Sequence, residues 1–260
     1  MDKAAIYRRE GVISYVTLNR PKVLNAINDT WVYDLVSALR EAQSDSEGRV
    51  LVIQGAGRAF CAGADLKETP LAKAKDLAAY RKQRIDPMQD VAKLVRALRK
   101  PVIGEIHGYA VGGGCELAML TDIRIAAEGT KFGFTEVRVG ATVTMGGLYN
   151  LARIVGLGRA FELLYTTEFI DAEEAHRIGL VNRIVAPEAL SKSVKALAEK
   201  IAGNFPFEMA LTRNSVHRAL DMDFDAALED ENMASLLSYA GGSRTTGMTG
   251  AMSKIGSKKD

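Results

Sequence analysis

A run of three glycines at residues 112–114 separates a segment typical of a buried strand, residues 102–106, from the apolar start of a helix, residues 117–120. Glycine accepts positive φ angles and lets the backbone approach a ligand without a side chain in the way. The first amides of a helix lack intrahelical partners and carry partial positive charge. The run therefore predicts a strand–turn–helix unit whose turn can hold an anionic oxygen, with Glu116 supplying a carboxylate beside it. A plain tight connection is the alternative, because such turns are common in α/β proteins.

The glycine run differs from the two common nucleotide-binding fingerprints. The chain contains no GxxxxGK[ST] phosphate loop, and no GxGxxG opens a dinucleotide-binding unit near its start. The turn is therefore not predicted to hold a nucleotide through either motif.

Composition narrows the functional classes further. Of the 260 residues, 47% are hydrophobic and 25% charged, as in an ordinary soluble globular protein. The formal net charge, 34 − 32 = +2, is too small to indicate nucleic acid or an anionic membrane as a partner. Cys61 and Cys115 form neither a disulfide framework nor a metal-ligand cluster, and the chain shows neither a membrane span nor a signal-peptide core. We expect a reduced, cytoplasmic setting.

Strand-like and helix-like segments alternate from residue 12 to residue 185, which predicts an α/β domain whose sheet has crossover helices. The predicted strands are residues 12–18, 50–54, 102–106, 123–126, 132–134 and 181–185. The predicted helices are one capped by Asp29 or Thr30, one over 72–99 interrupted at Pro87, one over 146–155, one over 159–166, and one between Asp171 and Gly179.

The last part of the chain reads as helices only, over residues 188–203, 207–220 and 224–239. We therefore predict a core over residues 1–200 and a helical region over 201–260. Helices with apolar faces and no sheet to cover them often pack on a neighbouring subunit.

Two glutamates are the candidate acid–base groups. Glu116 opens the helix after the glycine run, and Glu136 follows the short predicted strand at 132–134. A pair of carboxylates in different surroundings is a usual way to run general acid–base chemistry near neutral pH, since apolar neighbours raise one pKa. The alternative is that Glu136 is a surface carboxylate and that Glu116 only complements the helix dipole.

A second turn of small residues, Ala62–Gly63–Ala64–Asp65, lies between a predicted strand and a helix. One amide from each turn would clasp a carbonyl oxygen as it becomes an enolate, and each such donor is worth about 3–4 kcal/mol of barrier. A plain connecting loop is the alternative here.

Six segments, in their order and spacing, carry a resemblance that none carries alone: residues 20–26 (RPKVLNA), 60–67 (FCAGADLK), 100–118 (with GYAVGGGCELA), 132–136, the glycine pair 146–147, and 172–182. With these, the chain resembles the crotonase (enoyl-CoA hydratase/isomerase) superfamily over nearly its whole length. The resemblance implies a spiral of repeated ββα units with a C-terminal helical trimerisation region, assembled as homotrimers or dimers of trimers.

The resemblance also implies an acyl-CoA enzyme and assigns roles. Backbone amides of Ala64 and Gly113 would form the oxyanion hole, Glu116 would deprotonate the attacking water, and Glu136 would exchange the proton at the α-carbon. Lys22, Ala26 and Lys67 match positions near the CoA nucleotide, and the rest of the implied substrate-binding set is Ala62, Asp65, Leu66 and Gly112. No metal or redox cofactor is implied, because coenzyme A is part of the substrate.

The chain departs from the family pattern in places that matter for the acyl group. Val143-Thr144-Met145 replaces the usual Pro-Gly pair, and Tyr149-Asn150 replaces a Gln-Arg type. Since these residues are expected to line the acyl pocket, the acyl group need not be a simple straight chain. Glu105 in the central strand is either a third carboxylate near the site or a buried structural acid paired elsewhere, and we favour the latter.

Three functions are compatible with these residues. Hydration of a 2-enoyl-CoA is favoured by the two glutamates, while double-bond isomerisation or hydroxyacyl-CoA cleavage would use the same enolate. The third is an RNA-binding or scaffolding protein, since residues 73–100 carry nine lysines and arginines, including Lys73 and Lys75. Nucleic acid is the less favoured partner, because no set of stacking aromatic residues accompanies this basic segment.

Overall fold

The computed structural model describes residues 2–68, 76–243 and 245–249. They fall into two compact units, one ending at Ala202 and one beginning at Gly203. The first unit holds all the strands of the described residues, and we take it first.

A six-stranded sheet forms the centre of the first unit, in the strand order β1-β2-β3-β4-β6-β9. Its strands are β1 (Ala5–Glu10), β2 (Ile13–Leu18), β3 (Val50–Gly55), β4 (Val102–Ile106), β6 (Ile123–Ala127) and β9 (Arg183–Val185). β1 and β2 are antiparallel, whereas every later neighbour in this sheet is parallel. Parallel neighbours need crossover connections, and the helices between the strands supply them.

A smaller sheet, in the order β5-β7-β8, is built from β5 (Tyr109–Val111), β7 (Lys131–Gly133) and β8 (Ile170–Asp171). Each strand of the small sheet is next in the chain to a strand of the large one: β4 precedes β5, β6 precedes β7, and β8 precedes β9. The chain therefore winds as repeated strand pairs with one strand in each sheet, which confirms the predicted α/β fold of repeated ββα units.

Within the large sheet, β3 is buried on both faces from Val50 to Ile53, which explains why it reads there as an unbroken apolar run. Val50 and Val52 of β3 pack with Ile103 in a layer that also contains apolar residues of α8 (Leu190–Ala202). Leu51 and Ile53 point the other way, into the larger core. That core also takes in apolar side chains of α1 (Asp29–Ser44), α3 (Asp86–Ala97) and α4 (Gly113–Met119).

The cap of α1 differs from the sequence prediction. The helix begins at Asp29, but its N-cap is Asn28, whose side-chain oxygen accepts a hydrogen bond from the Trp31 amide at 2.8 Å. Asp29 and Thr30, the predicted caps, lie inside the first turn because Asn28 already has the extended conformation that a cap requires. The predicted cap of α7 (Ala172–Arg177) is confirmed, since Asp171 accepts from the Glu174 amide.

The helix predicted over 72–99 is interrupted directly before Pro87 rather than at it. Residues 72–75 lie outside the described residues, and the helical part begins with α2 (Leu77–Tyr80). A π-helical turn, Arg81–Ile85, follows and leads into α3, in whose first turn Pro87 lies. Proline lacks an amide and clashes with the carbonyl four residues earlier, so the wider turn directly before Pro87 accommodates it.

Sequence reasoning missed three strands, β1, β5 and the two-residue β8, and misplaced the start of α4. β1 escaped because its sequence, AIYRRE, is charged and mostly exposed beyond its first residues. β5 escaped because it has three residues and follows Gly108, whose φ of +64° turns the chain from one sheet into the other. α4 begins at Gly113, so two of the three glycines lie inside the helix rather than before it.

The remaining helices of the first unit are α5 (Gly147–Val155) and α6 (Leu157–Thr166). The second unit consists of α9 (Pro206–Ala219) and α10 (Phe224–Ala240), and its described residues form no strand. In the described part of the chain no helix has the length and apolar character needed to cross a bilayer.

Candidate active site

The glycine turn before α4 is held in one conformation by its neighbours. Gly112 has φ +54° and ψ −125°, and its amide donates to the Gly133 carbonyl of the adjacent small-sheet strand at 2.8 Å. A Cβ at Gly112 would lie 2.8 Å from Oε1 of Glu136. Glycine is therefore required here both by the backbone conformation and by the close approach of the Glu136 carboxyl.

The second small-residue turn lies directly against the first. Cys61 forms a parallel bridge with Ala110 of β5, and Ala64 forms one with Ile27. In the latter, the Ile27 amide donates to the Gly63 carbonyl and the Asp65 amide donates to the Ile27 carbonyl. The hydrogen bonds of the bridge use the residues on either side of Ala64, so the Ala64 amide faces away from Ile27.

The two turns meet at a cavity of about 280 Å³. Ala64 and Gly113 both line it, and within the described residues neither amide donates a hydrogen bond to a protein acceptor. Its other walls are contributed by the start of α1, the π-helical turn and the loop before α5. The lining side chains include Ile27, Asn28, Asp29, Val32, Tyr33, Ala62, Leu66, Tyr80, Arg84, Met88, Val139, Thr142 and Thr144.

Glu116 and Glu136 both lie in the wall of this cavity, where the charge of Glu136 contributes to raising the pKa of Glu116. Glu116 is 2% exposed, and its Oε2 accepts from the Thr144 amide at 2.9 Å. Glu136 is half-buried, and its Oε2 is buried without a hydrogen-bond partner. Buried carboxyl oxygens normally have partners, so this oxygen is available to a molecule in the cavity.

The surroundings of the pair favour a proton on it at neutral pH. Burial raises the pKa of Glu116 most, and the charge of Glu136 raises it further. Burial also raises the pKa of Glu136, while backbone hydrogen bonds and the contact with Glu116 lower it. Two interacting carboxyls do not both ionise readily, so burial and the neighbouring charge favour the protonated form of Glu116.

Cys61 and Cys115 lie next in sequence to the cavity residues Ala62 and Glu116, but both are fully buried. Burial raises the pKa of Cys61 to about 12 and raises that of Cys115 as well. The Cys61 thiol hydrogen-bonds to the Asn25 carbonyl at 3.2 Å. Neither thiol is a nucleophile in this state, in keeping with the prediction that Cys115 is a packing residue.

Four residues of the implied substrate-binding set do not line the cavity: Lys22, Ala26, Asp65 and Lys67. Lys22 lies in an exposed single turn of 3-10 helix, Pro21–Val23, and Lys67 is also exposed. Asp65 is buried, and the Arg20 guanidinium donates to its Oδ2 at 3.1 Å. Because Asp65 is already paired, its observed contacts are structural, whereas Lys22 and Lys67 are open to an anionic group.

The residues that depart from the family pattern lie in different parts of the structure. Thr144 lines the cavity, but Val143 and Met145 are buried in the core. Tyr149 and Asn150 do not line the cavity, contrary to expectation; the Tyr149 ring lies under the guanidinium of Arg153, 3.5 Å from its carbon. This half-buried ring on α5 contacts the guanidinium groups of Arg153 on its own helix and of Arg96 on α3.

Glu105 is the buried structural acid that we favoured. It is 7% exposed and accepts a hydrogen bond from the Ser191 hydroxyl of α8 at 2.5 Å, on the face of the sheet that α8 covers. His107 is likewise outside the cavity and contacts the Gly57 carbonyl.

Several cations of the basic segment over 73–100 have protein partners in the described residues. Lys73 and Lys75 lie outside the described residues. Arg81 pairs with Asp86, Arg84 with Asp29, and Lys93 with Asp90. The Lys100 ammonium is buried and donates to the carbonyls of Ala42 and Asp45, so it closes the end of α1 instead of facing solvent.

Sequence reasoning missed Ile27 as a site residue, and it placed Thr144 in the acyl pocket without linking it to Glu116. Their contacts with the glutamate and the glycine turn join residues far apart in the chain, which no local pattern reveals. For Thr144 the departure from Pro-Gly was the available signal. Among the described residues no three histidine, cysteine, aspartate or glutamate side chains are grouped to hold a metal ion.

Comparison with known proteins identifies relatives along the whole chain. The family model described as enoyl-CoA hydratase/isomerase matches residues 8–250. The short-chain-enoyl-CoA hydratase of Clostridium acetobutylicum is 39% identical over 88% of this chain and 87% of its own length. The crotonyl-CoA hydratase of Syntrophomonas wolfei is 38% identical over 96% and 95%. A crystal structure of an enoyl-CoA hydratase subunit I from Geobacillus kaustophilus superposes with a TM-score of 0.90, at 32% identity, over 96% and 95% of the two chains.

Proposed function

The chain belongs to the enoyl-CoA hydratase/isomerase family, and from that premise we propose that it is an enoyl-CoA hydratase. It would add water reversibly across the 2,3 double bond of a 2-enoyl-CoA thioester. The observation that carries this proposal is that Glu116 and Glu136 line the same cavity as Ala64 and Gly113, whose amides donate no hydrogen bond to a protein acceptor within the described residues. Hydration needs one group that accepts a proton from water and one that delivers a proton to carbon. The cavity offers two carboxyls for these roles, beside two amides that can stabilise an oxyanion.

In the proposed reaction the thioester oxygen accepts hydrogen bonds from the Ala64 and Gly113 amides. Negative charge develops on this oxygen when water adds to the β-carbon and the α-carbon becomes an enolate. Removing one such donor typically costs about 3–4 kcal/mol of barrier. The partial positive charge at the start of α4 acts in the same direction.

The two carboxyls divide the proton transfers. Glu116 accepts a proton from the attacking water as the new carbon–oxygen bond forms. Glu136 then delivers a proton to the α-carbon, which returns the enolate to a thioester. Protons balance, because the one taken from water at Glu116 replaces the one given to carbon at Glu136.

The CoA part of the substrate would follow the turn at residues 62–67 out of the cavity. Ala62, Leu66 and Gly112 line the cavity, which supports a role for them along the pantetheine arm. Lys22 and Lys67 are exposed cations able to meet the phosphates of the nucleotide, and Ala26 and Asp65 would shape the turn that carries them.

Assembly as a homotrimer, or as a dimer of trimers, is part of the proposal. The second unit exposes many large apolar side chains, among them Phe224, Met233, Leu236 and Leu237. Such a surface is typical of subunit interfaces. A reducing compartment such as the cytoplasm suits a chain whose two cysteines are free thiols.

The direct test is an assay for hydration of crotonyl-CoA, in which the loss of enone absorbance reports the reaction. The same assay is run on a panel of longer and branched 2-enoyl-CoA esters. We expect Glu116→Gln and Glu136→Gln each to lower kcat by roughly a factor of 100 to 10,000, the usual range for acid–base groups. Binding of the CoA ester should survive in both variants. Near-normal turnover in both would contradict the acid–base assignment.

Isomerisation or cleavage on the same enolate is the second candidate, since the matching family model includes isomerases and Thr144 gives this cavity a polar wall of its own. An isomerase would convert a 3-enoyl-CoA into its 2-enoyl isomer without forming the hydroxyacyl product. Mass spectrometry of the product therefore separates the two reactions. Hydration adds one water molecule, roughly 18 mass units, whereas isomerisation leaves the mass unchanged.

A further inference from the structure

Glu136 is the first residue of a turn on the protein surface, residues 136–142, which we call the Glu136 turn. Residues 137–142 are all exposed, and Val139, Ala141 and Thr142 line the cavity. The Glu136 carbonyl accepts hydrogen bonds from the Val139 amide at 3.0 Å and from the Ala141 amide at 2.9 Å, which makes the segment one unit. Within the described residues Oε2 of Glu136 has no hydrogen-bond partner, so the position of its carboxyl depends on the position of this turn.

Arg138 joins the Glu136 turn to the end of α6. Its Nε donates to the Thr167 hydroxyl at 3.0 Å, and its Nη2 donates to the Thr167 carbonyl at 3.0 Å. Within the part of the chain that the structure describes, every other hydrogen bond of residues 137–142 ends on an atom of the turn itself. Two donors of one planar guanidinium thus meet two acceptors of one residue, an arrangement that lysine cannot reproduce.

Thr167 is a well-anchored point at the end of α6. That helix buries Leu163 and Leu164, and Thr167 itself is 5% exposed. Its φ of +54° is unusual for a β-branched residue, so the surrounding contacts have to hold it there. Its hydroxyl donates to the Thr166 carbonyl at 2.7 Å and its own carbonyl accepts from Arg138, a cation that is favourable where helix carbonyls lack partners. A glycine would adopt this conformation more easily but would offer Arg138 no hydroxyl.

We propose that Arg138 is a positioning residue: by binding Thr167 it fixes the Glu136 turn and holds the Glu136 carboxyl where it can deliver a proton to the α-carbon of the thioester. The proposal rests on the proposed function and deepens it, because it identifies what places the acid of the hydration. Arg138 does not line the cavity, so it acts through Glu136 and not on the reacting atoms. The effect on rate is large because a displacement of about 1 Å can cost up to roughly a factor of 100.

The first test follows the turn itself, in the full-length protein without substrate. Arg138→Met keeps most of the length of the side chain and removes its donors. The Val139 and Ala141 amides should therefore exchange hydrogen at least about tenfold faster than in the wild type, because the turn opens more often. Thr167→Ser keeps both acceptors and should match the wild type.

Arg159→Met is the matched control for the loss of a surface guanidinium. Arg159 lies near the start of α6, where it pairs with Glu162, and it takes no part in the hydrogen bonds of the Glu136 turn. Both amides should exchange in this variant as in the wild type. Unchanged exchange in Arg138→Met, or the same acceleration in Arg159→Met, would overturn the proposal.

The second test measures turnover separately from binding. Arg138→Met should lower kcat for hydration of the best 2-enoyl-CoA about 10- to 100-fold. The Kd of butyryl-CoA, a saturated ester that cannot be hydrated, should stay within about twofold of the wild-type value. Arg138→Lys keeps the charge without the paired donors and should recover only part of the rate. A weaker Kd with an unchanged kcat would contradict a role in placing the acid.

A double variant with Glu136→Gln separates positioning from a general loosening of the site. Once the acid is removed, Arg138→Met should lower the remaining rate of hydration by less than about twofold, since residues that act as a unit are not additive. A further loss of about 10- to 100-fold in this background would show that Arg138 acts on the site as a whole, and the proposal would be wrong.

The two tests fail independently. If the wild type hydrates no 2-enoyl-CoA, the proposed function fails, yet exchange of the Val139 and Ala141 amides still decides whether Arg138 holds the turn.

Discussion

The position of Glu116 favours its role in acid–base chemistry but lowers the stability of the folded protein. The side chain is almost completely buried, and burial together with the neighbouring Glu136 raises its pKa. In the unfolded chain the same carboxyl titrates near its ordinary value of about 4.3. Above that value the folded state binds more protons than the unfolded state, so its stability falls as pH rises toward the folded pKa.

Glu116→Gln should therefore stabilise the protein increasingly as pH rises. Each unit by which the folded pKa exceeds the unfolded one is worth about 1.4 kcal/mol, which the neutral amide does not lose. Urea unfolding of both proteins at pH 5 and pH 8 measures the difference. The free energy of unfolding of the variant should exceed that of the wild type more at pH 8, and an equal difference at both pH values would contradict the burial argument.

At Gly113 the small size of glycine matters more than its conformational freedom. A Cβ there would lie 2.6 Å from Cδ1 of Ile27, and both residues line the cavity. Gly113→Ala should force the Ile27 side chain to move and displace the substrate. A displacement of about 1 Å can cost up to roughly a factor of 100 in rate, so we expect kcat/KM to fall about 10- to 100-fold.

The matched double variant tests this cause. Ile27→Val removes Cδ1 at a cost of about 0.5–1.5 kcal/mol of stability. In the Gly113→Ala background it should recover most of the lost kcat/KM. If Ile27→Val lowers the activity of Gly113→Ala further, the clash is not the reason for the loss.

The site residues were predictable from sequence where a backbone rule applied and not where a contact crossed the chain. The glycine turn and Glu116 follow from the strand, the glycines and the helix start, and the structure brings Glu136 to the same cavity. Thr144 could not be assigned to Glu116, because the hydrogen bond spans 28 positions. The prediction that Tyr149 lines the pocket was wrong, because its ring stacks with Arg153 instead.

At the scale of elements, the start of α1 joins the fold to the cavity. Asn28 caps this helix and also lines the cavity, and its amide group donates to Glu68. The N-terminal end of α1 therefore depends on one side chain for its cap.

Asn28→Ala should lower the free energy of unfolding by about 1 kcal/mol, the usual value of a lost N-cap. For a protein of this size that corresponds to a fall in Tm of roughly 2–4 °C. Asn28→Ser is the matched control, since serine accepts from the same helix amide. Equal melting temperatures for the two variants would show that the cap is not what Asn28 contributes.

Elements were predictable in proportion to their burial. β3 is buried over its first four residues and β4 over all five, and their predicted bounds were correct to within one residue. β1 has charged residues over its exposed half, and the three residues of β5 are too few for any period. Asn28 was missed as a cap because Asp29 and Thr30 are equally good capping residues by type, and only the backbone conformation selects among the three.

At the scale of the molecule, the exposed apolar side chains of α10 call for a partner. Leu236 and Leu237 are 62% and 47% exposed in the single chain. Leu236→Asp should weaken a subunit interface, because an unpaired charge is costly to bury. Light scattering after gel filtration should show a trimer or hexamer for the wild type and smaller species for the variant.

Lys195→Glu is the control for added negative charge, since Lys195 lies on the exposed side of α8 in the first unit. It should keep the assembly of the wild type. A monomeric wild type, or dissociation of both variants alike, would contradict an interface on α10.

The burial of the two thiols has a consequence for the protein's own safety. A 2-enoyl thioester is a Michael acceptor, and an ionised cysteine beside it would be alkylated at the β-carbon. Cys61 and Cys115 adjoin the cavity in sequence, yet both are sealed in the core and stay protonated because burial raises their pKa. An enzyme that handles electrophiles at every turnover thus keeps its two thiols out of their reach.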